Sequence, residues 1–241
     1  MKLTDFKVLS FDCYGTLIDW ETGLWTALEP MANAAGIRRD TALETFGMLE
    51  SEQEHEMPKL IYRDLLARVH AKLAAAWNVT SSEADHRAFG ASVGDWPAFP
   101  DSPAALAYLK RHFKLVILSN VDHQNFAASN KRLAVTFDAI CTAEDIGSYK
   151  PSAKNFEYLI DRVRDLGHAK SEILHTAQSL FHDHAPAERI GLARCWINRR
   201  DDKGSGSGAT KPVARKPQLD FEFPTLAAMA AAHRAETNAA R

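Results

Sequence analysis

Apolar runs of strand length recur along the chain, and most are followed by stretches with helical spacing. The predicted strands are KVLSF, KLVILSN, AICTAED, EILHTAQ and ARCWINR, at 7–11, 114–120, 139–145, 172–178 and 193–199. The predicted helices cover roughly 101–112, 123–134, 151–165 and 184–191. Four of the five runs are largely apolar, as expected for parallel strands that are covered on both faces. The alternation predicts an α/β fold with a Rossmann-like, doubly wound parallel sheet.

The interval between the first two strands breaks this alternation. Residues 20–96 carry Leu, Ala, Glu and Arg at helical spacing and contain no convincing strand. We therefore predict a helical cap domain at 20–96, inserted into a core domain formed by 1–19 and 97–241. Gly94 and Pro97 mark the return to the core.

A second departure lies near the C-terminus. Residues 201–218 are dominated by Gly, Ser, Lys and Pro, and no apolar residues are spaced to bury a face. This composition predicts a flexible loop within the core domain. The following LDFEF predicts a short extended piece, and the remaining residues predict a closing helix.

Composition narrows the functional classes. The 241 residues are 46% hydrophobic and 25% charged, with a formal net charge of −2, so no basic field favours nucleic acid. No apolar run has the length that a membrane-spanning helix needs. A cleaved leader would remove the motif that begins at Phe11. Three widely spaced cysteines form neither a disulfide framework nor a metal knuckle, so we expect a cytoplasmic protein.

Chemically capable side chains follow four of the predicted strands. Asp12 follows the first strand, Ser119 and Asn120 end the second, Lys150 follows the third and Asp183 follows the fourth. The carboxyl ends of parallel strands meet at one edge of a sheet, which is where catalytic groups collect. Each residue alone is more often a turn former, a helix cap or a solvated loop residue. Their joint occurrence at strand ends favours one functional crevice.

Each of these residue types has a chemical role in such a crevice. A carboxylate such as Asp12 attacks an electrophile and forms an ester on itself. A neighbouring lysine, Lys150, keeps that carboxylate ionised. The hydroxyl of Ser119 and nearby amides hold an anionic group of the substrate. A second carboxylate, Asp183, orients lysine or water, or helps to bind a divalent cation.

The motifs resemble those of the haloacid dehalogenase (HAD) superfamily of hydrolases. The matching segments are FDCYGTL (11–17), VILSN (116–120), YKP (149–151) and Asp183, with WINR at 196–199 as further support. The match extends over the whole chain, because the helical insert lies where that superfamily has a cap. The resemblance implies that Asp12 is the nucleophile.

Tyr14 indicates which group of enzymes within the superfamily the chain resembles. The phosphatases of the superfamily have a second Asp at this position, which protonates the leaving oxygen, and a phenol with a pKa of about 10 is a poor substitute. The form Asp-x-Tyr-Gly-Thr resembles the L-2-haloacid dehalogenases, in which the leaving halide needs no proton. This resemblance implies displacement of halide from C2 of a short 2-haloalkanoic acid, followed by hydrolysis of the aspartyl ester.

The same resemblance implies further roles and partners. Tyr14 would pack over the reacting carbon. From its position just after the motif, Trp20 would line the pocket or, alternatively, pack at the hinge between core and insert. Thr16, Ser119 and Asn120 would hold the anion of a small substrate. Enzymes of this kind need no cofactor or metal, and they commonly form homodimers through the cap.

The departures from the dehalogenase pattern leave alternatives open. Dehalogenases carry an Arg on an early cap helix that helps to receive halide, whereas the corresponding 48–57, MLESEQEHEM, is acidic; Arg63 and Arg38 are candidate replacements. One alternative is a magnesium-dependent phosphatase with Asp12 and Asp183 as Mg²⁺ ligands. Another is a non-catalytic binding descendant of the fold.

The segment HDH at 182–184 raises a separate metal hypothesis. An extended segment would direct His182 and His184 to the same side, but a zinc site would lack an obvious third ligand. A role for His182 in polarising water beside Asp183 is the alternative, and a solvated loop histidine is the simpler interpretation.

Overall fold

The computed structural model describes residues 1–199 and 213–239. Its centre is a parallel sheet of six strands in the order β3-β2-β1-β4-β5-β6. The strands are β1 (Val8–Phe11), β2 (Lys114–Ser119), β3 (Ala139–Thr142), β4 (Ile173–Ala177), β5 (Ala193–Ile197) and β6 (Phe221–Phe223). This confirms the predicted doubly wound α/β fold.

Strands β1, β2 and β4 are apolar runs in the sequence because nearly all of their residues are buried. Every residue of β1 and β4 is buried, and in β2 only the first residue is exposed. The chain proceeds from β1 through β2 to β3 at one edge and then crosses to β4 on the other side of β1. In such sheets the crevice beyond the carboxyl ends of the strands, where the winding reverses, holds the ligand.

Six helices connect or flank the strands. They are α5 (Ser102–Leu109), α6 (His123–Leu133), α7 (Ala143–Ile146), α8 (Ala153–Asp165), α9 (Ala185–Arg189) and α10 (Leu226–Ala239). Short 3₁₀ turns lie at Leu3–Asp5, Ser92–Asp95 and Lys170–Glu172, and a π-helical turn spans Leu180–His184. None of the described helices has the length and apolar character that crossing a membrane requires.

The interval predicted as a cap is helical. It contains α1 (Trp20–Ala34), α2 (Arg39–Glu56), α3 (Tyr62–Ala76) and α4 (Glu83–Ala91). One continuous cluster of buried side chains includes Leu24 and Leu65 of these helices together with Leu17 and Ile117 of the sheet side. The boundaries of a separate cap domain at 20 and 96 therefore stay a prediction.

The third predicted strand, 139–145, was too long. It ends at Thr142, whose backbone amide and hydroxyl both donate to the Asp145 carboxylate, while its Oγ1 accepts from the Asp145 amide at 3.2 Å. This reciprocal capping box starts α7 directly after the strand. Most of the predicted flexible loop, 201–212, lies outside the described residues. The extended piece and closing helix are confirmed as β6 and α10.

Gly90 allows α4 to pack closely on α3. A Cβ atom at this position would lie 2.1 Å from the Arg63 carbonyl oxygen. Substitution Gly90→Ala should therefore lower the free energy of unfolding by about 1–3 kcal/mol, because overpacking outweighs the gain in helix propensity. Urea unfolding followed by circular dichroism measures this difference.

Ala88→Gly, on the exposed face of the same helix, is the matched control. It should cost only the propensity difference of about 1 kcal/mol. A Gly90→Ala variant that is more stable than the natural chain would show that the two helices do not need this close approach.

Candidate active site

A pocket opens at the carboxyl edge of the sheet, beneath the helices of the insert. It is lined by Asp12, Tyr14, Trp20, Glu50, Glu54, Tyr62, Trp96, Ser119, Asn120, Lys150, Gln178, Ser179, His182 and Asp183. Seven of the eight residues singled out from the sequence are among them, and Thr16 lies behind Asp12. The structure therefore brings together side chains that lie far apart in the chain.

The Lys150 ammonium group lies at the centre of the site. Its Nζ donates to Asp12 Oδ1 at 2.9 Å, to Asp183 Oδ1 at 2.7 Å and to the Leu118 carbonyl at 3.0 Å. Lys150 is only 2% exposed. Although burial favours the neutral amine, the two carboxylates raise the pKa of Lys150 above its usual value. The lysine therefore remains a cation and holds the carboxylates together.

Asp12 is buried and held at both oxygens. Thr16 Oγ1 donates to Asp12 Oδ2 at 2.8 Å. Thr16 Oγ1 in turn accepts from the backbone N–H of Gln178 at 2.9 Å. Burial raises the pKa of Asp12, the Lys150 ammonium opposes that rise and the Asp183 carboxylate adds to it. The role of Thr16 in holding the substrate anion stays a prediction; in the structure its hydroxyl donates to Asp12, and Thr16 is not among the lining residues. Thr16 orients the carboxylate.

The turn after β1 explains the glycine of the motif. Gly15 has φ +92°, in the left-handed region that favours glycine, and its amide donates to the Ile18 carbonyl at 2.8 Å. A Cβ atom here would lie 3.0 Å from Trp20 Nε1. This turn places Asp12 and Tyr14 at the pocket and Trp20 at the start of α1.

Asp183 lies in the π-helical turn 180–184, not in an open loop. Its Oδ1 also faces His175 Nε2 at 3.0 Å, and His175 Nδ1 faces Ser10 Oγ at 2.9 Å. Burial favours the neutral acid, but Lys150 and the His175 hydrogen bond hold the pKa of Asp183 below its usual value. Its Oδ2 is buried and accepts no hydrogen bond from the described residues. Asp183 is thus a carboxylate with one acceptor oxygen left over.

The expected orientation of the two histidines beside Asp183 is wrong, because the segment is helical instead of extended. His184 is buried, with Nε2 at 2.9 Å from the Ala177 carbonyl. His182 lines the pocket, where its Nε2 lies 3.9 Å from Glu54 Oε2. Across residues 1–199 and 213–239, no three His, Cys, Asp or Glu side chains form a metal-binding group.

Ser119 and Asn120 differ in their availability. Ser119 Oγ is buried in the pocket wall and has no hydrogen-bond partner among the described residues. The Asn120 amide group, in contrast, is fully engaged. Its Nδ2 donates to Glu54 Oε1 at 3.0 Å and to the Lys150 carbonyl at 3.1 Å, and its Oδ1 accepts from the Lys150 amide at 2.7 Å. Asn120 therefore fixes the lysine loop, and Ser119 is the hydroxyl open to a ligand.

Tyr14 and the tryptophans form the apolar wall. The Tyr14 hydroxyl lies 3.0 Å from Ser129 Oγ, and its ring meets Trp96 edge-on with centroids 5.6 Å apart. Burial raises the pKa of Tyr14 well above its usual value. The phenol is therefore not placed to protonate a leaving group, and Trp20 completes this side of the pocket.

Sequence reasoning missed two acidic residues of α2. Glu50 and Glu54, one helical turn apart, line the pocket where the dehalogenase arginine was expected. The acidic character of 48–57 was visible in the sequence, but the direction of these side chains was not. The candidate replacement Arg63 donates instead to Gln124 Oε1, and Arg38 is exposed; neither is among the lining residues.

A Mg²⁺ ion at this site would compete with the Lys150 ammonium for the two carboxylates. The ion prefers octahedral coordination by oxygen ligands. Here the facing oxygens of Asp12 and Asp183 share the Lys150 ammonium, so a divalent cation between them would adjoin a fixed positive charge. Tyr14 replaces the carboxylate that phosphatases have two residues after the nucleophile.

Comparison with known proteins agrees with this geometry. The family model for haloacid dehalogenase-like hydrolases matches residues 6–176. No curated protein matches the sequence significantly. Among solved structures, the L-2-haloacid dehalogenase from Xanthobacter autotrophicus superposes with a TM-score of 0.80 at 19% identity, covering 95% of this chain and 98% of that chain.

Two further structures share the fold. The Xanthobacter enzyme with chloropropionic acid covalently bound has a TM-score of 0.79 at 18% identity, covering 95% and 98% of the two chains. YfnB from Bacillus subtilis, a HAD-type protein whose structure holds magnesium, has a TM-score of 0.74 at 16% identity, covering 95% and 99%. At these identities the likeness shows the fold, and the family match shows that the chain belongs to the haloacid dehalogenase-like hydrolases.

Proposed function

We propose that this hydrolase displaces halide from C2 of a short 2-haloalkanoic acid, or of a derivative such as its amide, through an ester on Asp12. The 2-haloalkanoic acids are the class that the resemblance implies. The observation that carries the proposal is the buried arrangement in which Lys150 bridges Asp12 and Asp183 beneath an apolar wall formed by Tyr14 and Trp96.

In the first step, an Asp12 oxygen attacks C2 while the carbon–halogen bond breaks, and the halide leaves with the electron pair. The apolar wall suits this step, because a carboxylate that is weakly solvated is a stronger nucleophile. No proton is needed by the leaving group. The absence of this requirement is consistent with the hydroxyl of Tyr14, which is hydrogen-bonded to Ser129 instead of being directed at a leaving group.

In the second step, water attacks the Asp12 carbonyl carbon and the ester is cleaved. The free Oδ2 of Asp183 is the acceptor that we assign to the proton of this water. Lys150 stabilises the negative charge that develops on Asp12. As the bond between the Asp12 carbonyl carbon and the ester oxygen breaks, that oxygen takes up the proton held by Asp183. The hydroxy product departs, Asp12 loses the remaining proton of the water to solvent, and its carboxylate is restored.

We propose further that the reaction needs no metal, since the Lys150 ammonium already pairs with both carboxylates. The non-catalytic alternative is not favoured by any contact in this site, and a bound but unreacted haloacid would support it.

Asp12→Asn should reduce halide release from 2-bromopropionate or its amide by at least about 1000-fold, because the variant lacks the nucleophile. Ion chromatography measures the halide. Asp165→Asn, at an exposed position, is the control and should retain full activity.

A single turnover in H₂¹⁸O tests the ester directly. Because water attacks the Asp12 carbonyl, the label should enter the Asp12 carboxylate and be found in its peptide by mass spectrometry. Label found only in the hydroxy product would show direct attack of water on the substrate and would contradict the proposal.

Halide release should be unchanged by EDTA and by added Mg²⁺. Parallel assays of halide release and of p-nitrophenyl phosphate hydrolysis measure both activities. Phosphate release that requires Mg²⁺, without halide release, would favour the phosphatase alternative.

His175→Phe should move the acidic limb of the kcat profile to higher pH. The hydrogen bond from His175 helps to hold the pKa of Asp183 below its usual value, so that Asp183 is a carboxylate above that pKa. Without His175 this hydrogen bond is lost, and the pKa of Asp183 rises. Halide release in a single turnover should change little, because that step does not need Asp183 as a base.

His175→Gln retains an N–H donor toward Asp183 and is the matched control. It should restore most of the natural pH profile. An unchanged profile in His175→Phe, with the fold verified by circular dichroism, would exclude a role for His175 in setting the Asp183 charge.

A further inference from the structure

The balance of charge in the pocket is unexpected for an enzyme that binds a free carboxylate. Four of the lining residues are carboxylic acids, namely Asp12, Asp183, Glu50 and Glu54. Lys150 is the sole lysine or arginine among the described lining residues. An ammonium has three N–H donors, and those of Lys150 go to Asp12, Asp183 and the Leu118 carbonyl. No donor of this lysine is left for a substrate anion.

Glu50 and Glu54 are built into the wall and are not solvated surface acids. Glu54 is 8% exposed, and its Oε1 accepts from Asn120. Glu50 Oε1 accepts from the Tyr62 hydroxyl at 2.5 Å. Burial raises the pKa of Glu50 to about 7, and burial followed by the charge of Glu50 raises the pKa of Glu54 well above its usual value. The pair therefore holds protons readily near neutral pH. An N–H donor or an ammonium favours its ionised form, whereas a further carboxylate opposes that ionisation.

Independent observations show that the pocket is built for a ligand. Ser119 Oγ is buried in its wall and has no hydrogen-bond partner among the described residues, and Asp183 Oδ2 is in the same condition. Buried polar atoms are almost always hydrogen-bonded in native proteins. Unpaired atoms that line a pocket therefore point to a polar ligand that completes them.

We infer that Glu50 and Glu54 recognise an N–H-bearing group of the substrate, an amide or an ammonium, and disfavour a free carboxylate. This inference rests on the proposed displacement at Asp12 and leaves its steps unchanged: the C–O bond forms, the carbon–halogen bond breaks, and halide leaves with the electron pair. It changes only the group attached near the reacting carbon, from the acid to a nitrogen compound.

Ligand-observed NMR with the natural protein tests recognition without turnover. Propanamide, propylammonium and propionate are unreactive probes of similar size. At least one nitrogen compound should bind about tenfold more tightly than propionate, and the better of the two identifies the group as amide or ammonium. Equal or tighter binding of propionate would overturn the inference.

Turnover gives a second readout. Halide release from 2-bromopropanamide and from 2-chloropropylammonium, each corrected for uncatalysed release, is compared with release from 2-bromopropionate. A carboxylate preferred in kcat/KM would overturn the inference while leaving the proposed displacement intact. Absence of halide from all three would overturn the proposed function, and the NMR comparison would still decide the recognition of nitrogen groups.

The double variant Glu50→Gln/Glu54→Gln removes both ionisable carboxyl groups and preserves the shape. It should lose about tenfold in affinity for the preferred nitrogen compound and gain affinity for propionate. Glu52→Gln, exposed on the same helix and outside the pocket lining, is the control and should change neither affinity. A double variant that retains the natural preference would contradict the assignment to these two residues.

Discussion

The site depends on the buried ammonium of Lys150 between two carboxylates. Removing the Lys150 ammonium would leave two carboxylates uncompensated away from water, which costs several kcal/mol. The arrangement therefore specifies the relative positions of the loops after β1, β3 and β4. The Lys150 ammonium also opposes the rise in the pKa of Asp12 that burial causes.

The helical insert completes the pocket and is tied to the sheet edge by polar contacts. The Arg63 amide donates to Asp122 Oδ2, the Tyr149 hydroxyl donates to the Leu60 carbonyl, and Asn120 donates to Glu54. These bonds bring side chains of α2 over the nucleophile. The reacting centre thus comes from the sheet and the recognition surface from the insert, so the substrate can change while the chemistry at Asp12 is retained.

Much of the architecture was predictable because its signals are local. Buried parallel strands require apolar runs, and the insert shows helical spacing throughout. Asp12, Lys150 and Asp183 follow β1, β3 and β4, whose carboxyl ends meet at one edge of the sheet, so topology brings them together. The predicted third strand failed at Thr142 because a capping box overrode the strand pattern. His175 was missed because a histidine inside an apolar strand carries no sign of the carboxylate that it will face.

The sequence by itself determined the fold class, the family and the convergence of Asp12, Lys150 and Asp183, since motif order and strand ends are properties of the chain. Only the tertiary structure decided which neighbours these groups meet. It turned Thr16 toward Asp12, engaged Asn120 with the lysine loop and directed Glu50 and Glu54 into the pocket. The physical reason is that hydrogen bonding and charge act between residues that are distant in sequence, so the composition of a pocket is set by packing.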